Sequence, residues 1–567
     1  MMLNRSSTMA ALGAVVLVVT ACSTDNGAGG SYPRDETLYT TGTQWGPPSN
    51  WNPIMNWTYA TGTVGYAYET LFLYDPQEEG EIPWLAESGA WTDEDTYVVT
   101  LRDGITWEDD EPLTADDVVF TVELGQIDSV PYSNLWNWLD GVEARDETTV
   151  EFTFTEPRHQ EWENWLYSNA IVPEHIWSEL GEDEIVSDPN EDPVGTGPYT
   201  YADHTDERMI WAKKDDWWAT EHLDLEVAPN YIVDVVTTSN ENALTMLDQN
   251  EIDMSTNFLP GIDQTLDTDE HITSYYDGPP YMIPANTAWL NMNTEREPLD
   301  DADFRRAMAH AIDVEQIVAG PYSDLVEAAD PTGLLPVWEN YIDEDLVAEQ
   351  GFSYDRDEAE ALLEEAGYTD TTGDGYVETP DGDPIALDLA VPSGWTDWME
   401  ASRIISENLQ EVGIDATSDT PDEAALQDAR ETGDFDLIIN NERQISNTPW
   451  TYFDYLFRLP VEERQTTVNF GRYENEEAWE LTEEFSRIPV DDRERMQEAA
   501  AELQEIHLSE LPAIPLWYNG LWSQVNEGTW TNWPSADEDT PHYFPTTFRG
   551  YHQMGAILTL TEIEPAD

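Results

Sequence analysis

Ile385-Ala-Leu-Asp-Leu-Ala-Val391, then Pro392-Ser393-Gly394-Trp395, is the stretch that decides the fold class. It runs on into a segment with Trp398, Ile404, Ile405, Leu409 and Val412 at helical spacing, then Gly413 and Ile414-Asp-Ala416. An apolar run of strand length, a Pro/Gly loop, an amphipathic helix with a glycine stop and a returning strand make a βαβ unit. Such a unit belongs to α/β architecture. A further strand, Phe435-Asp-Leu-Ile-Ile-Asn440, opens onto a loop. Ligands in open α/β sheets lie beyond the carboxyl ends of the strands. The loops at 392–398 and 440–450 are therefore candidate ligand contacts on topology alone.

The same alternation extends toward the N-terminus. Tyr97-Val-Val-Thr-Leu101, the turn Arg102-Asp103-Gly104 and a return strand Ile105-Thr106-Trp107 read as a hairpin, with Trp91 and Trp107 as core. Thr114 can cap a helix that carries Asp116 and Asp117 in its positive first turn. Phe304, Met308, Ala311 and Ile312 recur at helical spacing, and Asp313-x-x-Gln316 resembles a capping box for the next helix. Asp357 to Ala366 reads as a short helix stopped by Gly367. About 535 residues of body exceed what one hydrophobic core supports, so two or three lobes are expected.

Charge describes where the chain works. Lys+Arg 22 against Asp+Glu 118 give a formal net charge of −96, and Lys213 and Lys214 are the two lysines. Self-repulsion of this size opposes a compact state in dilute solution, whereas at 1 M salt the Debye length falls to about 3 Å. An acidic disordered chain is excluded, because 24 Trp, 26 Tyr and 40% hydrophobic residues are core-forming material. The expectation is a folded protein of an extreme halophile, working in a high-salt environment. Nucleic-acid phosphates would repel it.

The first 22 residues point outside the cytoplasm. Arg5 precedes the apolar run Ala10 to Val19, which is shorter than the roughly 20 residues that span a bilayer. The run closes in Val19-Thr20-Ala21-Cys22, which resembles the lipobox of secreted lipoproteins, with Cys22 as the lipid attachment. A plain signal peptide with an incidental cysteine is the alternative. Cys22 is the single cysteine, so no intramolecular disulfide forms. The residues after it, to Ser31, compose a flexible tether.

Several chemistries lack their residues. The nine histidines are scattered without an H-E-x-x-H pair, no cysteine set suits zinc, and neither a G-x-S-x-G elbow nor a Walker loop occurs. No cofactor is expected. Asp370, Asp374, Glu378 and Asp381, with Gly375 between, echo an EF-hand loop, but Thr372 stands at its third position and a strand follows instead of a helix. A tight acidic hairpin is the competing reading of that stretch.

Four stretches resemble one family. Leu101-Arg102-Asp103-Gly104-Ile105 with Pro112 to Val118 is similar to the signature of the dipeptide/oligopeptide-type (family 5) substrate-binding proteins of ABC importers. Pro193-Val194-Gly195-Thr196-Gly197-Pro198-Tyr199, Leu290 to Asp313, and Tyr354-Asp355 to Tyr368 resemble further stretches of that family, in its order. The resemblance implies an α/β, two-lobed periplasmic-binding-protein-like fold with an extra α/β domain inserted in the first lobe. With the signal peptide at 1–21 and the lipid-anchored tether at 22–31 read from their own residues, it implies a first lobe from 32–65, 193–288 and 509–567. The inserted domain would span 66–192 and the second lobe 289–508. It also implies no catalysis, a permease and ATPase subunits as partners, a monomeric state and a location on the outer side of the cytoplasmic membrane.

Ligand class is open between an oligosaccharide, a peptide and, remotely, the substrate of a secreted hydrolase. Peptide binders of the family carry an aspartate that pairs with the ligand's α-ammonium. Aligning Thr448-Pro449 and Phe453 on their pattern puts Ile445 at its place, which leaves a buried ammonium unpaired. Asn440-Asn441, Asn447 to Phe453, Trp395-Thr396-Asp397-Trp398 and Trp517-Tyr518-Asn519-Gly520 resemble the cello-oligosaccharide and mannobiose binders. Indole faces suit the apolar C–H faces of sugar rings, and amides and carboxylates suit their hydroxyl rims. The expected ligand contacts are Trp45, Trp395, Trp398, Asn440, Asn441, Trp450, Trp517 and Tyr518, each indole having core packing as its alternative. Trp45 and Trp517 are expected on the lobe opposite Trp395 and Trp450, so that closure sandwiches the ligand.

Overall fold

A computed structural model describes residues 32–42, 44–55, 60–75, 80–441, 443–536, 544–546 and 554–566. The expected signal peptide, tether and lipid-attachment residue Cys22 lie outside the described residues. Two mixed sheets form the lobes. The first lobe's sheet runs in the order Ile272–Ser274, Gln524–Asn526, Met254–Ser255, Thr37–Thr41, Tyr231–Val235, Arg208–Lys213, Tyr199–Thr205. The second lobe's sheet runs Glu327–Ala328, Ala513–Trp522, Met282–Met292, Leu437–Asn440, Leu387–Ala390, Ala416–Asp419.

The βαβ unit is present in the second lobe. Leu387–Ala390 pairs in parallel with both Ala416–Asp419 and Leu437–Asn440. The helix Thr396–Glu411 between them buries Trp398, Ile404, Ile405 and Leu409, the residues whose spacing identified it. Gly413 turns the chain with φ 88°, a left-handed value that favours glycine. The returning strand starts at Ala416, because Ile414 is spent on the turn that leaves the helix.

Caps act where the sequence placed them. Thr114 and Asp117 form a reciprocal capping box on the helix Ala115–Glu123. Asp313 accepts from the Gln316 amide at the start of Val314–Ala319, and Gly367 closes Arg356–Ala366 in the left-handed region. Ile105-Thr106-Trp107 does not form a return strand. Thr106 makes one isolated bridge to Pro112, and the strand Thr96–Leu101 instead pairs with Ala86–Asp93 and Thr149–Phe154.

A four-stranded antiparallel sheet, Ala86–Asp93, Thr96–Leu101, Thr149–Phe154 and Leu139–Ala144, is inserted in sequence between the first lobe's strands Thr37–Thr41 and Tyr199–Thr205. Its core is aromatic. Trp162 stacks on Trp165 at 5.4 Å and 3°, and Phe152, Phe154 and Trp138 pack around Trp162. Trp107 is buried, and Trp91 is half-buried against Tyr97 and Phe154. Much of the tryptophan surplus is thus core.

Sheet pairing moves two of the expected boundaries. Residue 288/289 falls inside the strand Met282–Met292, which pairs from Met282↔Trp522 to Asn291↔Ala513 with Ala513–Trp522. Both strands therefore belong to the second lobe, and the chain returns to the first only at Gln524. One residue, Ser523, separates the strand of one sheet from that of the other. The other passage, from Ser274 to Met282, lies beside it, since the Ser274 hydroxyl donates to the Ser523 carbonyl at 3.1 Å. These paired crossings form a narrow joint between the lobes.

Candidate functional site

The loop that follows the carboxyl end of Leu387–Ala390 meets the first lobe. Trp395 is the N-cap residue of Thr396–Glu411, and Trp45 follows the first lobe's strand Thr37–Thr41. Their ring centroids are 5.8 Å apart at 40°, and both residues are half-buried. From Trp395 a run of aromatic contacts continues through Trp398 (4.9 Å), Trp517 (6.0 Å) and Tyr322 (5.3 Å) to Phe258 of the first lobe (5.0 Å). The run begins and ends on one lobe and passes through the other.

A polar latch lies next to it. Asp397 is buried in the first turn of Thr396–Glu411, where the helix N-terminus favours its anion. It accepts from Asn240 Nδ2 of the first lobe at 3.2 Å and from the Tyr322 hydroxyl at 3.0 Å. Burial pushes its pKa up to about 6, against the lowering effect of the Tyr322 bond. Alongside, the Thr396 hydroxyl donates to Glu241 at 3.2 Å. The N-terminal ends of two helices, Asn240–Asp248 and Thr396–Glu411, are thus joined across the lobes.

Of the eight expected contacts, Trp45, Trp395 and Asn441 keep exposed surface. Trp398 is buried behind Trp395. Asn440 is spent inside the second lobe, accepting from Arg430 and donating to the Tyr455 hydroxyl, both at 2.9 Å. Trp450 is buried with its indole N–H on the Thr482 carbonyl at 3.1 Å. Tyr518 is also buried, donating to the Leu334 carbonyl at 2.7 Å and accepting from the Asp330 amide at 3.0 Å. Trp517 does not oppose Trp395. It lies on Ala513–Trp522, in the same lobe and fully buried, because that strand pairs on both sides within the second lobe's sheet. Ile445 is buried too, its amide on the Ala285 carbonyl.

The acidic stretch closes on itself. Asp370, Asp374 and Glu378 bring carboxylate oxygens within 4.8 Å of one another, and Asp381 is outside the group. Asp370 accepts from the Gly373 and Gly375 amides, and Glu378 from both the amide and hydroxyl of Thr371. The turn's own donors hold these carboxylates, and the segment makes isolated bridges, Thr369 to Glu378 and Glu378 to Pro384.

Asn240, Glu241 and Tyr322 escaped the sequence reading. Asp397 stood inside a quoted motif, yet among 118 acids nothing singles out one that will be buried. Asn257 and Gln524 were equally illegible. Both are buried in the first lobe, near the crossing, with amide atoms that have no hydrogen-bond partner among the described residues.

Two lobes that meet at a seam can enclose a ligand between them, and the sequence comparison agrees with that reading. Residues 81–460 match the model of the bacterial extracellular solute-binding proteins, family 5. The chain belongs to this family. It is the solute-binding component of an ABC importer, a class that works with a permease and an ATPase. A family 5 relative from Thermotoga maritima, described as a periplasmic oligopeptide-binding protein of an oligopeptide ABC transporter, was crystallised with mannohexaose. It is 42% identical, with a TM-score of 0.90 over 94% of this chain and 99% of that one. The oligopeptide-binding protein AppA of Bacillus subtilis is 24% identical over 445 residues, 74% of this chain and 75% of its own. Its structure, with a nonapeptide, has a TM-score of 0.77 over 94% of this chain and 99% of that one, at 21% identity, and shows the shared fold. The family 5 relatives are binding proteins, not enzymes. Among the described residues no helix is long and apolar enough to cross a membrane.

Proposed function

We propose that this receptor captures a neutral oligosaccharide, β-linked gluco- or manno-, between its lobes and delivers it to the permease. The observation that carries the reading is the mannohexaose bound to a relative 42% identical over 94% of this chain. Three features of this chain support it. Two half-exposed indoles, Trp45 and Trp395, meet at the seam, where C–H faces of a sugar ring can stack. Buried amides at Asn257 and Gln524 have unmet donors and acceptors, which sugar hydroxyls can satisfy. Ile445, which alignment on the peptide binders' pattern puts at their ammonium-pairing aspartate, is apolar and buried.

The peptide reading is favoured by the relatives described as peptide binders. A thermal-shift screen in molar KCl separates the two, using cello-, manno- and xylo-oligosaccharides beside di- to pentapeptides. A ligand at 100-fold its Kd adds about 2.7 kcal/mol of stability. Stabilisation by saccharides alone supports the proposal, and stabilisation by peptides alone overturns it. The proposal extends to Cys22 as a lipid anchor and to the acidic composition as adaptation to brine.

A further inference from the structure

A cavity of about 200 Å³ lies between the inserted domain and the second lobe, away from the Trp45–Trp395 seam. Trp138 and Trp165 line it from the inserted domain and Trp450 from the second lobe, all three buried. Trp138 Nε1 and Trp165 Nε1 have no hydrogen-bond partner among the described residues. Four charges line it in series. Arg443 meets Asp454 at 3.5 Å, Asp454 meets Arg458 at 2.6 Å, and Arg458 meets Glu161 at 3.6 Å. Two cations alternate with two anions, so the lining carries no net charge. Arg443 Nε is nevertheless buried without a hydrogen-bond partner among the described residues, while Glu161 Oε2 also faces Arg158 Nη1 at 3.8 Å.

We propose that this cavity is a carbohydrate subsite that holds one pyranose ring at the end of an oligosaccharide. Buried polar atoms cost free energy unless they are hydrogen-bonded, and here three residues with unmet donors, Trp138, Trp165 and Arg443, line one cavity. An ionised ligand gains little, because each charge already has its counter-charge and a new ion would carry its own desolvation cost. A neutral polyol supplies both donors and acceptors to the rim and presents apolar C–H faces to three indoles. The walls come from two parts of the chain held together by Thr448 Oγ1 on Gln160 Oε1 at 2.6 Å and Asn447 Nδ2 on Glu163 at 2.9 Å. A chain long enough to reach this cavity from the seam would place its last ring against the inserted domain, so the proposal predicts a dependence on ligand length.

This subsite rests on the saccharide reading, and the test separates the two. Full-length protein in molar KCl is titrated calorimetrically with β-1,4-manno-oligosaccharides, from the disaccharide to the hexasaccharide. Trp165→Phe removes the indole N–H and keeps a ring, while Arg443→Met removes the guanidinium and serves should the first variant fail to fold. Wild type is expected to bind more tightly past one chain length, and that gain is expected to shrink by about ten-fold in each variant. A wild type that binds no saccharide at any length sinks the saccharide reading itself. Saccharide binding without a length-dependent gain, or a gain that both variants retain, overturns the subsite alone.

Discussion

Trp45 and Trp395, from different lobes, touch with ring centroids 5.8 Å apart and a 40° tilt. No sugar ring fits between indoles that close together. In the proposed reading a ligand either lies along their shared exposed edge or parts them, and both routes would make the pair a gauge of lobe position.

Replacing either indole tests that role. Hot-spot aromatics carry about 2 kcal/mol or more, so Trp45→Ala and Trp395→Ala are each expected to weaken saccharide binding roughly 30-fold. The rings touch each other, so the double variant should fall short of the product of the two effects. Fluorescence titration in high salt reads all three. Full additivity would show that the contact is incidental.

Asp397 gives a pH signature of known sign. Its folded pKa is raised to about 6, above the ordinary carboxylate value, so the folded protein holds the proton more tightly than the unfolded chain. Stability is then greatest below about pH 4 as far as this group is concerned, and declines as pH rises toward 6. Asp397→Asn should remove that decline, on the order of 2 kcal/mol, when denaturation midpoints of the two proteins are compared across pH 4 to 7. Parallel curves would mean that Asp397 is not the group responsible.

Salt should govern folding. A net charge of −96 is screened in molar salt and not in dilute buffer, so dialysis into dilute buffer is expected to abolish near-UV circular dichroism. An unchanged spectrum would separate the acidic surface from any role in brine.

Cys22→Ser tests the anchor. The variant is expected in the medium and the wild type in the membrane fraction, as read by immunoblot of the two fractions. Equal partition of both would remove Cys22 from the account.

Periodicity made the second lobe's βαβ unit legible, since Trp398, Ile404, Ile405 and Leu409 both shape the helix and bury its face. It could not assign Ala513–Trp522 to a lobe, because strand pairing joins residues more than 200 positions apart, Met282 with Trp522 among them. Site residues divide along the same line. Trp395 is visible from its loop, whereas Asn440 ends the strand Leu437–Asn440 and Trp450 opens the helix Trp450–Phe457, and both are turned inward by Arg430, Tyr455 and Thr482. Composition names candidates for stacking, and only tertiary packing tells a ligand platform from a core indole. The cavity shared by Trp138, Trp165 and Trp450 had no local signal at all, because its walls are separated by some 280 residues of sequence.

One measurement bears most directly on the central claim that this importer receptor takes sugar between its lobes. Mannohexaose and a nonapeptide are titrated separately into the wild-type protein in molar KCl, with heat as the readout. Saturable binding of mannohexaose, weakened in Trp45→Ala and Trp395→Ala, with no heat from the peptide, is the predicted result. Saturable binding of the nonapeptide with none of mannohexaose would contradict the account.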